Sequence, residues 1–199
     1  MTTTLIRLAA VLAAICLTAC GGGAIPNQYL LPQPATNVAA PVSDVRVILG
    51  RVDLPAYARN AAIDTLQRDG TVTETAAHRW AAPPAQAISA LLAQRLEIIS
   101  GASAMVRPSP VAYRPNTRLT VKFDVFARDA NGDAVLQGQF SIDQAGEPFV
   151  LERFALTKAA SDNGYAAYMN ATAAGLDDLA ALIAARLVIE GSGANVGED

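Results

Sequence analysis

The sequence predicts an α/β domain, a β-sheet covered by two main helices, and three stretches carry that prediction. Residues 84–99 set Ile88, Leu91, Leu92, Leu96 and Ile99 on one stripe at helical spacing. Residues 165–188 do the same with Tyr165, Tyr168, Thr172, Leu176, Leu179, Ile183 and Leu187. Residues 118–142 alternate with period two instead, around an Asn131-Gly132 turn, the strongest short hairpin signal. A helix with one apolar stripe must bury it, and the apolar face of a sheet is the surface that the rest of the chain supplies.

The chain begins with one positive charge, Arg7, and an apolar run over residues 8–17. That run is too short to span a bilayer and has the shape of a bacterial export signal. Leu17-Thr18-Ala19-Cys20 closes it and resembles a lipobox, the processing motif of bacterial lipoproteins. The resemblance implies that residues 1–19 are a signal peptide, that lipid is attached through the sulfur of Cys20, and that the new amino terminus is acylated as well. Each buried CH2 contributes ~0.8 kcal/mol, so several acyl chains hold the protein on a membrane that it does not cross. Residues 20–44 then read as a lipidated tether, broken by Gly21-Gly22-Gly23, Pro26, Pro32, Pro34 and Pro41. Tyr29-Leu30-Leu31 interrupts the tether as a short apolar edge strand.

The body is expected over residues 45–190. Residues 45–52 are β-branched and apolar on both faces, as in an interior strand, and Leu54-Pro55-Ala56-Tyr57 ends it. Residues 62–68 and 71–75, joined at Asp69-Gly70, read as a peripheral hairpin. Pro83 and Pro84 suit the first turn of the first helix, where no amide donor is lost, and Gly101 lies just past its end. A short strand at 104–106 and a Pro108-Ser109-Pro110 loop follow. In the central hairpin, Leu119, Val121, Phe123, Val125 and Ala127 are expected inward on one strand, with Phe126 on the outer set. Ala134, Leu136, Gly138, Phe140 and Ile142 are expected inward on the other. A third strand, 149–157, continues the meander after Gly146. Ser161, Asp162 and Asn163 offer N-caps to the last helix, Gly191 a stop, and residues 191–199 a disordered polar tail.

Composition narrows the function. The formal net charge of −3 gives no overall electrostatic footprint for nucleic acid or for anionic lipid headgroups. Of the two cysteines, Cys16 leaves with the signal and Cys20 is lipidated. The mature body therefore has no thiol, hence no disulfide and no thiolate metal site, and no cofactor is expected. His78, the single histidine, cannot build a multi-histidine metal site or a Cys-His pair, and no Gly-x-Ser-x-Gly elbow accompanies it. Structural or interface use of His78, Arg79 and Trp80 therefore outweighs catalysis. Asp129, Asn131 and Asp133 resemble the opening of a calcium loop. Ala134 and Phe140 stand where that loop needs glycine and glutamate, so a hairpin turn accounts for them better.

Several stretches together resemble the ABC-type transport auxiliary lipoproteins of the PqiC/YmbA type. They are the lipobox, Tyr29-Leu30-Leu31, Val52-Asp53-Leu54-Pro55-Ala56-Tyr57, His78-Arg79-Trp80-Ala81 ahead of Pro83 and a helix, and Asp162 leading into a helix with Tyr165 and Leu179. The pattern departs at Ala82, where an acidic residue is expected. The resemblance implies a mixed sheet carrying two helices, similar to the N-terminal domain of TolB. It also implies a non-enzymatic lipoprotein on the periplasmic face of the outer membrane, working with an MCE (mammalian-cell-entry) protein and inner-membrane ABC-like components in lipid transport. Gly21, in place of an aspartate after the cysteine, agrees with the outer membrane. Self-association is left open. The competing readings are a lipoprotein regulator or scaffold of another envelope machine, such as cell-wall synthesis, and a periplasmic hydrolase using His78.

Overall fold

A computed structural model of the chain describes residues 25–34, 43–107 and 110–187. The signal segment 1–19, Cys20, most of the tether, and Gly191 with the tail 191–199 lie outside those residues. The spine of the fold is β7 (Thr117–Asp129), with β8 (Ala134–Gln144) antiparallel along one side and β9 (Val150–Lys158) antiparallel beyond it. Two short strands share its other side, both parallel to it. β2 (Arg46–Leu49) lies against the start of β7, and β3 (Thr65–Leu66) against its end. β6 (Ser103–Val106) flanks β2 in parallel and β4 (Val72–Thr73) flanks β3 in antiparallel. The result is the mixed sheet expected, and α1 (Pro84–Ser100) and α2 (Tyr165–Ala184) pack on it and on each other.

Burial follows the sequence pattern closely in β2. Val47 and Leu49 are fully buried towards the helices. Ile48, only 3% exposed on the opposite face, explains why the strand is apolar on both sides. Residues 110–116 cross that second face, and the Tyr113 hydroxyl donates to the carbonyls of Val47 and Ser103.

β7 corrects the expected alternation. Leu119, Val121 and Phe123 are buried as expected, but Phe126 is buried at 3% exposure and Val125 is only half-buried. A β-bulge between Phe123 and Val125 inserts a residue and breaks the period-two pattern, so that Phe126 and Arg128 are buried along with Ala127, which is inward as expected. Phe126 thereby joins Phe123, whose ring also meets Phe154 edge-on at 5.3 Å. Opposite the bulge, a Cβ on Gly138 would lie 2.1 Å from the Lys122 carbonyl oxygen. Only glycine lets the two backbones approach this closely. Gly138→Ala is therefore expected to cost about 1–3 kcal/mol, the usual scale of overpacking. A lowered urea midpoint, with Gln137→Ala unchanged, is the result that checks it.

Four further boundaries move. The early hairpin shrinks to Thr65–Leu66 against Val72–Thr73, because residues 61–63 pair elsewhere: Ile63 N–H donates to His78 O and Trp80 N–H to Ala61 O. The first edge strand is β1 (Asn27–Tyr29) rather than 29–31. It pairs in parallel with β5 (His78–Trp80) as a small second sheet, leaving Leu31 buried and Leu30 67% exposed. In α1 the stripe holds through Leu96, but Ile99 is 46% exposed, since it sits in the final turn, where Gly101 turns the chain back into β6. α2 ends at Ala184, short of 188, although Leu187 still closes its stripe.

The expected side-chain cap of α2 is also absent. Gly164 occupies the N-cap without a side-chain bond. Asp162 accepts from Gly164 N–H at 2.6 Å, and Asn163 is held by Arg128. These polar residues are spent on fixing the turn before the helix. At the central hairpin, Asp129 accepts the amides of Asn131 and Asp133 and Gly132 takes φ +100°, so the Asp-Ala-Asn-Gly-Asp segment is a self-capped turn.

Candidate functional site

β5 is a three-residue strand, so its side chains alternate: His78 and Trp80 point one way and Arg79 the other. β1 lies beside it with Asn27 opposite His78 and Tyr29 opposite Trp80. Asn27 N–H donates to Ala77 O, and Ala81 N–H donates to Tyr29 O. The segment that follows the tether is thus fastened to the body by backbone bonds at both ends of β1.

Side chains reinforce that junction. The Tyr29 hydroxyl and His78 Nδ1 share a 2.8 Å hydrogen bond. The His78 ring stacks on Tyr165, at the first turn of α2, with centroids 3.8 Å apart and planes 9° from parallel. On Tyr165 also lies the Arg128 guanidinium, 5.0 Å from the ring centroid, a cation–π contact. Arg128 in turn donates to the Asn163 carbonyl at 2.8 Å. One continuous stack therefore joins β1, β5, the end of β7 and the start of α2.

The three residues singled out in the sequence separate here. Trp80 is 7% exposed, inside the core and 6.0 Å from Phe126 between ring centroids. His78 is half-buried in the stack. The Arg79 side chain is exposed and makes no hydrogen bond or ion pair to any described residue. Cys20 lies outside the described residues. Among those residues no group of three or more His, Cys, Asp or Glu is placed to hold a metal ion, and no helix is long and apolar enough to cross a membrane.

Two polar residues of this region escaped the sequence reading. Arg128 is buried beyond the bulge of β7, where the expected alternation has broken down. Asp64 sits where the chain passes from the small sheet to the main one, 7% exposed, with neither carboxylate oxygen hydrogen-bonded. Burial, and then the charge of Glu74, push its pKa up to about 6. A lone Asp after Ile63 carries no sequence mark of such burial.

Residues 29–184 match the family described as the ABC-type transport auxiliary lipoprotein component. No curated protein gives a significant match. Among solved structures, the chain is similar to an uncharacterized protein at 19% identity and a TM-score of 0.67, covering 80% of this chain and 97% of that one. It is also similar to the protein XCC0632 from Xanthomonas campestris at 13% identity and a TM-score of 0.61, covering 80% and 90% of the respective chains. At such identities these likenesses speak for the fold alone.

Proposed function

Since the chain belongs to the family of ABC-type transport auxiliary lipoprotein components, we propose that it is the non-enzymatic outer-membrane docking part of an MCE/ABC-type lipid transport system. The observation that carries this reading is the way the anchor meets the body. From Cys20 to Asn27 the chain reaches at most ~25 Å even when fully extended. At Asn27 it enters β1, which backbone bonds and the Tyr29–His78–Tyr165 stack fasten to both the small sheet and α2. A domain held this close to an acylated cysteine suits a fixed docking platform on the periplasmic face. It does not suit a regulator that must reach across the periplasm. The partners on this reading are the membrane, through the N-terminal acyl chains, an MCE-domain protein and the inner-membrane ABC-like components.

Cys20→Ser is expected to block acylation and remove the protein from the outer-membrane fraction, because sulfur is the attachment atom; unchanged fractionation of the variant would refute the anchor. A photo-crosslinker in place of exposed Arg79, activated in intact cells, is expected to trap an MCE-domain protein. Adducts with cell-wall synthases alone would transfer the reading to a regulator of that machine.

A further inference from the structure

β2 and β6 run in parallel, the chain between them passing through β3, β4, β5 and α1, and their carboxyl ends open on the same side of the sheet. In open α/β sheets ligands bind in the crevice just beyond the carboxyl ends of neighbouring parallel strands, and β2 and β6 form such a pair within this mixed sheet. Such a crevice exists here: a cleft of about 540 Å3 lined by Arg51, Gln86, Ser89, Ala90, Val106 and Arg107. Its volume falls in the range of small-molecule sites.

The charges in this cleft have one sign. Arg51 follows β2 closely and Arg107 follows β6 directly, so the two parallel strands deliver one guanidinium each. Neither has a hydrogen bond or ion pair to any described residue. Three other arginines are neutralised by carboxylates: Arg59 by Asp53, Arg95 by Asp177, Arg186 by Glu152. No carboxylate lines the cleft itself. The α1 terminus adds little, since the Gln86 and Ala87 amides already donate to Pro83 O, and Ser89 Oγ is engaged by Ala85 O and Val52 N–H. The attraction for an anion rests on the two arginines, against a floor that is apolar at Val106 and Ala90.

We propose that this cleft binds a phosphate ester, with Arg51 and Arg107 clamping the phosphate and the organic body lying along Ala90 and Val106. Guanidinium forks match phosphate oxygens in pairs, and two forks at the mouth of one cleft can engage more oxygens of a phosphate than of a lone carboxylate. The overall negative charge of the chain does not oppose this, because the field inside a cleft is set by the groups that line it. The site is independent of the docking reading, so either can fail without the other.

The test is calorimetric titration of the full-length protein in a neutral maltoside detergent with two probes, glycerol 3-phosphate and dihexanoyl phosphatidylglycerol. Saturable binding of at least one is expected, about tenfold weaker for each of Arg51→Gln and Arg107→Gln, and unchanged for Arg153→Gln on the far edge of the sheet. Binding of both probes alike would identify the phosphate ester itself as sufficient. Binding of the phosphatidylglycerol alone would identify the source as a lipid headgroup. No saturable binding of either, or binding that survives the Arg51→Gln/Arg107→Gln double variant, would overturn the proposal.

Discussion

Trp80→Ala is expected to destabilise the domain by about 3 to 5 kcal/mol, the range for truncating a packed tryptophan, and hence by a large share of the ~5 to 15 kcal/mol that hold a domain together. The ring is 7% exposed and lies against Phe126 behind the bulge of β7. Its strand is short, held by Ala61 on one side and by β1 on the other. Removing the ring opens a cavity where β5 of the small sheet meets Phe126 of the large one. The loss should therefore reach β1 as well as the core. As the single tryptophan, Trp80 also reports on itself. The native domain should emit in the blue and resist iodide quenching, and the variant should unfold at a much lower urea concentration. Red-shifted, freely quenched emission with a stable variant would instead mean that the ring faces a partner, the position in which aromatics dominate binding.

Long periodic segments were legible because one face of each is buried against a continuous surface. Ile88, Leu91, Leu92 and Leu96 in α1, and Tyr168, Leu176, Leu179 and Ile183 in α2, are buried as their spacing requires. So are Ala134, Leu136, Phe140 and Ile142 in β8. What spacing could not carry was any feature set by a neighbour in space. The bulge at Phe123 depends on a glycine on the facing strand, and beyond it Phe126 and Arg128 are buried against the expected alternation. The pairing of β1 with β5 joins segments that are far apart in the chain and too short for any periodicity to register. His78-Arg79-Trp80 stood out as a motif, yet its division into a stacked histidine, an exposed arginine and a buried tryptophan follows from strand alternation in a strand that the sequence did not announce. The cleft between Arg51 and Arg107 is legible only once β2 and β6 are known to be parallel neighbours.

Asp64→Asn is expected to stabilise the domain at neutral pH and to do almost nothing near pH 4. The carboxyl is buried without a hydrogen-bond partner among the described residues; Glu74 acts on it, and it acts in turn on the Tyr57 and Tyr168 hydroxyls, the latter also under the charge of Arg128. Burial lifts its pKa from 3.8 to about 6, with Glu74 adding to the rise. The folded state thus binds the proton more tightly than the unfolded chain does. Stability from this group is full below pH ~4 and is lost as pH rises through about 6. At pH 7.5 the ionised carboxylate costs on the order of 3 kcal/mol, since each pKa unit is worth ~1.4 kcal/mol. The neutral amide escapes that cost. Urea midpoints of the two proteins should coincide near pH 4 and separate in favour of Asp64→Asn above pH 6. Burial raises Asp177 in the same sense, whereas hydrogen bonds from Thr71 and from Arg186 hold Asp69 and Glu152 below their ordinary values, so the contributions of these two fade as pH falls. Taking the difference between wild type and variant cancels them. A constant offset at every pH would show that the substitution acts through packing, and a variant weaker at pH 7.5 than at pH 4 relative to wild type would mean that the ionised carboxylate has a partner that stabilises it.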